Sequence, residues 1–162
     1  MIRTIAISGL AALTFTAASV SAQTATVKSV DVEVELEAIG NPRAAEYWTA
    51  VADDLENAIV ARLTDQISDD GVDLKIDLEE VSLSSGFEDV MGLADTRLVG
   101  DVTMTHESDN SRFGSYELTI DVNTAMPLIP EGVDVVTLPA DSRVYYDAMI
   151  QAFAQGVVER LK

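Results

Sequence analysis

The sequence predicts an α+β domain: a single mostly antiparallel sheet with two helices packed on one face. Three observations predict it. Thr26 to Ala38 alternates apolar and acidic residues with period two, the pattern of a half-buried strand. Two stretches, around Trp48–Ile67 and Tyr146–Leu161, carry apolar residues at helical spacing. The segments follow in the order β-α-β-β-β-(β)-α, with β-α-β-β-α as its reduced form, which two stacked layers accommodate without a second core.

The first strand puts Val30, Val32, Val34, Leu36 and Ala38 on one face and Asp31, Glu33, Glu35 and Glu37 on the other. Gly40-Asn41-Pro42 then breaks it. Asn41 suits a helix cap, and Pro42 at the first helical position sacrifices no needed N–H. A helix over Arg43 to Ile67 follows, with Trp48, Val51, Ala52, Leu55, Ile59, Leu63 and Ile67 on its apolar stripe. Ser68-Asp69-Asp70-Gly71 is a turn signal that ends it.

Strand two begins at Val72. Val72, Leu74, Ile76 and Leu78 face one way, and Asp73, Lys75, Asp77 and Glu79 the other. The phase flips at Glu79-Glu80, which predicts a bulge, since one extra residue reverses the faces. Ser84 to Asp95 reads as a loop. Strand three (Thr96 to Glu107, with Leu98, Val102 and Met104 inward) and strand four (Arg112 to Thr124, with Tyr116, Leu118, Ile120 and Val122 inward) form a hairpin. Met126 to Ala140 is a second long loop, with a short edge strand over Val133 to Leu138 as an optional addition. Asp141 or Ser142 caps the last helix, whose stripe is Tyr146, Met149, Ile150, Phe153, Val157 and Leu161. Arg160 and Lys162 close it, where the helix dipole favours cations.

Ahead of this domain, Met1 to Ala22 reads as a secretory signal peptide. Arg3 is its positive start, Ile5 to Val20 its uncharged apolar stretch, and Val20-Ser21-Ala22 its small-residue cleavage site. The stretch is interrupted by Ser8, Gly9, Thr14 and Thr16, which argues against a spanning anchor. Cleavage before Gln23 leaves residues 23–162 as one domain in the periplasm or outside the cell, without direct membrane insertion.

Composition removes several functions. The 162 residues hold 28 Asp+Glu against 10 Lys+Arg, for a formal net charge of -18. No basic patch is available for phosphates, so nucleic-acid binding is not expected. With no Cys there is no disulfide, thiol nucleophile, Cys zinc site or lipidated anchor. No G-x-S-x-G motif is present, and a Ser-His-Asp triad would have to use His106, the one histidine, whose place at a strand end suits an ordinary polar residue better. Asp69 to Glu80 has Leu74 where a calcium loop needs Gly, and the loop beginning at Asp109 has Phe113 in place of a ligand and Ile120 in place of Glu. No catalytic residue, metal site or cofactor is assigned, and the chain is not expected to be an enzyme.

Two surfaces stand out instead. The polar sheet face gathers Asp31, Glu33, Glu35, Glu37, Asp73, Asp77, Glu79, Asp101, Glu117 and Asp121 against only Lys75 and Arg97. It is either a solvated face or a docking surface for a basic partner or divalent cations. The loops carrying Phe87, Val90, Met91 and Leu93, and Leu128 with Ile129, either finish the core or form an apolar contact site.

The element order, with Ala58-Ile59-Val60-Ala61-Arg62-Leu63 in the helix, Gly71-Val72-Asp73-Leu74-Lys75-Ile76 in the following strand and Leu98-Val99-Gly100-Asp101-Val102 ahead of the hairpin, resembles small α+β bacterial envelope proteins. These are periplasmic proteins and outer-membrane lipoproteins that assist lipopolysaccharide assembly or lipid transport. The likeness covers residues 27–162 as architecture. It implies binding or scaffolding of an envelope protein partner and carries over no catalytic residue. This chain departs from the group in having no Cys to lipidate. Small-ligand or divalent-cation binding is the alternative expectation, and a carboxylate-pair hydrolase a lesser one.

Overall fold

The computed structural model describes residues 25–34, 49–82, 97–134, 138 and 142–161. Four strands, β1 (Val27–Val34), β2 (Val72–Ser82), β3 (Arg97–Thr105) and β4 (Gly114–Asp121), form one sheet in the order β1-β2-β3-β4. The first pair is parallel and the other two are antiparallel. Among the described residues three α-helices accompany it: α1 (Val51–Arg62), the short α2 (Val122–Ala125) and α3 (Arg143–Glu159). The α+β architecture with helices against the sheet is the one expected.

The parallel pair follows from connectivity. A strand, a helix and a strand in succession bring the chain back to the end where it began, so β2 runs beside β1 in the same direction. α1 packs over β1, α3 over β3 and β4, and the two helices lie against each other. The apolar face of every strand points into this layer. Val32, Leu74, Ile76, Leu78, Leu98, Val102, Leu118 and Ile120 are buried there, with Leu55, Ile59, Met149, Phe153 and Val157 opposing them from the helices. Met104 and Tyr116, at the turn end of the hairpin, are only half-buried. The bulge falls where the phase change placed it: β2 shifts register against β3 between Leu78 and Glu80.

Several boundaries differ from expectation. Thr49 and Ala50 form a turn and do not continue a helix. The first helical bond runs from Asp54 N–H to Ala50 O, and Asp53 and Asp54 place negative charge in the first turn, where the helix dipole favours it. The same helix stops at Arg62, short of Ile67. Val27 N–H bonds Gln66 O and Ser68 N–H bonds Val27 O, so this stretch is drawn into extended contact with β1, leaving Ile67 exposed. Strand four begins later than Arg112 because Asp109 caps a 3-10 turn over Asn110–Arg112. It ends before Thr124 because the Asp121 carboxylate accepts from Thr124 N–H at 2.8 Å and from its hydroxyl at 2.7 Å, which starts α2. The long loop that follows contains a 3-10 turn at Met126–Leu128. Val133 and Asp134 are not in a strand. Ser142 provides the cap of α3, its hydroxyl accepting from Tyr145 N–H. The leader, Leu36, Ala38, Asn41, Pro42, Trp48 and Asp141 lie outside the described residues.

Two polar contacts join α1 to α3 among the described residues, Arg62 to Gln151 on the exposed side and Tyr146 to Asp54 further in. The Tyr146 hydroxyl donates to Asp54 Oδ2 at 2.6 Å, with the Arg143 guanidinium 5.0 Å above the ring. Tyr146 is 2% exposed. Burial, and then the Asp54 carboxylate, push its phenol well above the usual tyrosine range. The folded state therefore keeps a proton that the unfolded chain releases near pH 10, so stability falls as pH rises above about 10. Lys28, Lys75 and Tyr116 are shifted in the same direction and add to this limb. Tyr146→Phe should cost about 1 kcal/mol at neutral pH and flatten part of the alkaline decline. Urea midpoints taken across that range read both effects, and an unchanged alkaline slope would refute the assignment.

Candidate functional site: the acidic sheet face

The face turned away from the helices carries the predicted acids, and strand register decides which of them meet. Glu33 lies opposite Asp77, Asp77 opposite Asp101, and Asp101 opposite Glu117. One carboxylate from each strand thus falls in a single row across the sheet, with neighbouring strands about 4.8 Å apart. Such like-charge neighbours repel, each pair by some fraction of about 1 kcal/mol. Lys75 is the local counterion: its ammonium is 3.0 Å from Glu33 Oε2 and 3.2 Å from Asp77 Oδ1. Hydrogen bonds to these two carboxylates hold the lysine above its usual range. At the other end of the row, Asp101 and Glu117 have no ion pair or hydrogen bond among the described residues.

The remaining acids have separate surroundings. Asp31 sits opposite Lys75, and Glu79 is exposed at the bulge. Asp73 accepts from the Ser29 hydroxyl at 2.6 Å. Asp121 was expected on the open face, but its carboxylate is taken up as the cap of α2, and those hydrogen bonds lower its pKa. It is also the register partner of Arg97. Glu35 and Glu37 lie outside the described residues, as do Phe87, Val90, Met91 and Leu93. Of the second loop, Leu128 is 36% exposed and Ile129 packs partly against the core. Leu128 and Pro127 line a cleft of about 400 Å³ between β4 and α3, where Gly156 lets the helix approach Leu118.

His106 is an organiser of the hairpin loop. Its side chain is 7% exposed. Nδ1 accepts from Ser108 N–H and Asp109 N–H, which puts the ring proton on Nε2, 3.3 Å from Asp70 O. Asp109 in turn accepts from the Ser111 N–H and hydroxyl, which lowers its pKa, and Arg112 donates to Asp70 O at 3.0 Å. The loop is thereby tied to the turn before β2.

Among the described residues no three His, Asp or Glu side chains converge on a metal-sized point, and no helix is long and apolar enough to cross a membrane. A feature the sequence reading missed is a cleft of about 430 Å³ at the hairpin end of the helical layer, with Arg112, Phe113 and Arg160 in its wall. Its lining comes from segments far apart in sequence, and no local pattern signals it. No family model matches the chain, and no curated protein shows significant similarity to it.

Proposed function

We propose that this chain is an exported, non-enzymatic protein of the bacterial cell envelope that uses its acidic sheet face to hold a basic protein partner. The row Glu33–Asp77–Asp101–Glu117 is the observation that carries the reading. A face kept only for solubility gains nothing from aligning four carboxylates, whereas a partner rich in Lys or Arg would relieve their repulsion and gain charge-assisted hydrogen bonds. Export rests on the leader-like Met1–Ala22, and the envelope setting on the resemblance in element order.

Asp101→Asn tests this with two readouts of opposite sign. Removing a like charge from the middle of the row should stabilise the isolated protein by about 0.5 kcal/mol, read by urea denaturation. The same change should weaken capture of a basic envelope protein by the immobilised domain, with wild-type capture falling as salt is raised. Salt-independent capture, or capture that Asp101→Asn leaves untouched, refutes the acidic face as the docking surface.

A further inference from the structure

We propose that the cleft at the hairpin end of the helical layer binds a small soluble amphiphile: an apolar body with a single anionic head. The cleft is walled by Met104 and Phe113 on its apolar side, and by Arg112 and Arg160 on its polar side. Its volume, about 430 Å³, falls in the range of small-molecule sites, and its wall is shared evenly between apolar surface and polar groups that can fix orientation.

Charge complementarity selects the head group. The chain has 28 acids and 10 basic residues, yet the described lining of this cleft holds two arginines and no acid. Arg112 is already engaged by Asp70 O and by Asp109 Oδ2 at 3.4 Å, so it contributes charge from a fixed position. Arg160 differs. Its guanidinium lies 4.5 Å from the centre of the Tyr116 ring and makes no ion pair or hydrogen bond to the described residues. Stacking on an aromatic face holds the guanidinium while leaving its N–H edge free for an oxyanion. The protein's overall negative field is screened within about 8 Å at physiological salt, so the Arg160 guanidinium, which has no counterion among the described residues, can dominate at the cleft.

The apolar wall points the same way. Phe113 is 62% exposed, the most exposed of the large apolar side chains described. It follows immediately after a turn pinned by His106, Asp109 and Arg112. A rigid mount that presents an aromatic ring to solvent at a cleft mouth is the arrangement expected of a contact residue. Next to it in the chain, Gly114 keeps space for the Met104 methyl, which a Cβ at that position would meet at 2.6 Å. Met is suited to a wall that must adapt to an apolar guest.

Octanoate is the probe, with octanol and inorganic phosphate as comparators, followed by NMR of the Met104 methyl and the Phe113 ring in the full domain. Octanoate should give saturable shifts at both groups, octanol weaker ones and phosphate none. Arg160→Gln should weaken octanoate binding about tenfold or more. Arg160→Lys should fall between, and Phe113→Ser should weaken octanoate and octanol alike. Asp101→Asn should leave octanoate binding unchanged, which separates this site from the acidic face. Thermal melts of each variant confirm that the fold persists. Absence of octanoate shifts at Met104 and Phe113, equal binding of octanol, or an Arg160→Gln variant indistinguishable from wild type would overturn the proposal.

Discussion

Gly71→Ala should unfold the domain at far lower urea than wild type, with a loss of about 3 kcal/mol or more and a fall in Tm of about 10 °C. The reason is backbone, not side chain. A Cβ at Gly71 would stand 2.4 Å from Val27 C, 2.5 Å from Lys28 N and 2.8 Å from Val27 Cα. No rotamer change relieves a clash with main-chain atoms. The start of β1 would have to move away, and four bonds meet there: Val27 N–H to Gln66 O, Ser68 N–H to Val27 O, Gly71 N–H to Ser68 O and Val72 N–H to Thr26 O. Glycine is needed here for close approach, since only Gly132 among the described residues has a left-handed backbone. An unchanged urea midpoint for Gly71→Ala would contradict the packing of β1 against this turn.

Phe153→Ala should cost about 3–5 kcal/mol, the range for emptying an aromatic site in a closed core. Phe153 is 0% exposed and projects from α3 onto the middle of the sheet. Its ring tip occupies the space that Gly100 leaves in β3: a Cβ at Gly100 would lie 3.1 Å from Phe153 Cζ and 3.0 Å from Leu78 Cδ2. The two positions are therefore coupled. Gly100→Ala should destabilise the wild type, because Phe153 must give way. In the Phe153→Ala background the ring's share of that crowding is gone while Leu78 Cδ2 and the Asp77 carbonyl remain, so the same substitution should cost less than it does in the wild type. A double-mutant cycle from denaturation midpoints reads the difference, and strict additivity would show that the ring does not use the glycine's space.

Both effects rest on elements that were partly legible in the sequence. The alternation of Val72, Leu74, Ile76 and Leu78 with charged residues placed β2 and its inward face correctly, because side-chain period and burial are the same physical fact in a strand. The doubled Glu79-Glu80 placed the bulge for the same reason. The α3 stripe was equally readable: all six of its predicted residues are buried. Ends of elements were less so, since tertiary contacts set them. Val27 captures Gln66 from what reads locally as helix, and Asp121 turns an apparent strand into a capped helical turn. The acids of the polar face could be named strand by strand, but not aligned. Their row depends on register shifts between Val27 and Ser29 and between Leu78 and Glu80, and on a parallel pairing that only the βαβ connection explains. The cleft could not be seen at all, because Arg112, Phe113 and Arg160 gain meaning only once the hairpin and the end of α3 are neighbours.

The bond from Ala25 N–H to Leu161 O, 2.8 Å long, ties the beginning of the sheet to the turn just past the end of α3. β2, β3 and β4 are consecutive and antiparallel, so they can assemble from contacts close along the chain, whereas β1 must close a long loop across α1 before it pairs. Completion therefore waits for nearly the whole polypeptide to leave the ribosome. During synthesis the chain would remain threadable and unsealed, the condition that passage through a membrane channel requires under the proposed export, and it would acquire its final shape on the far side.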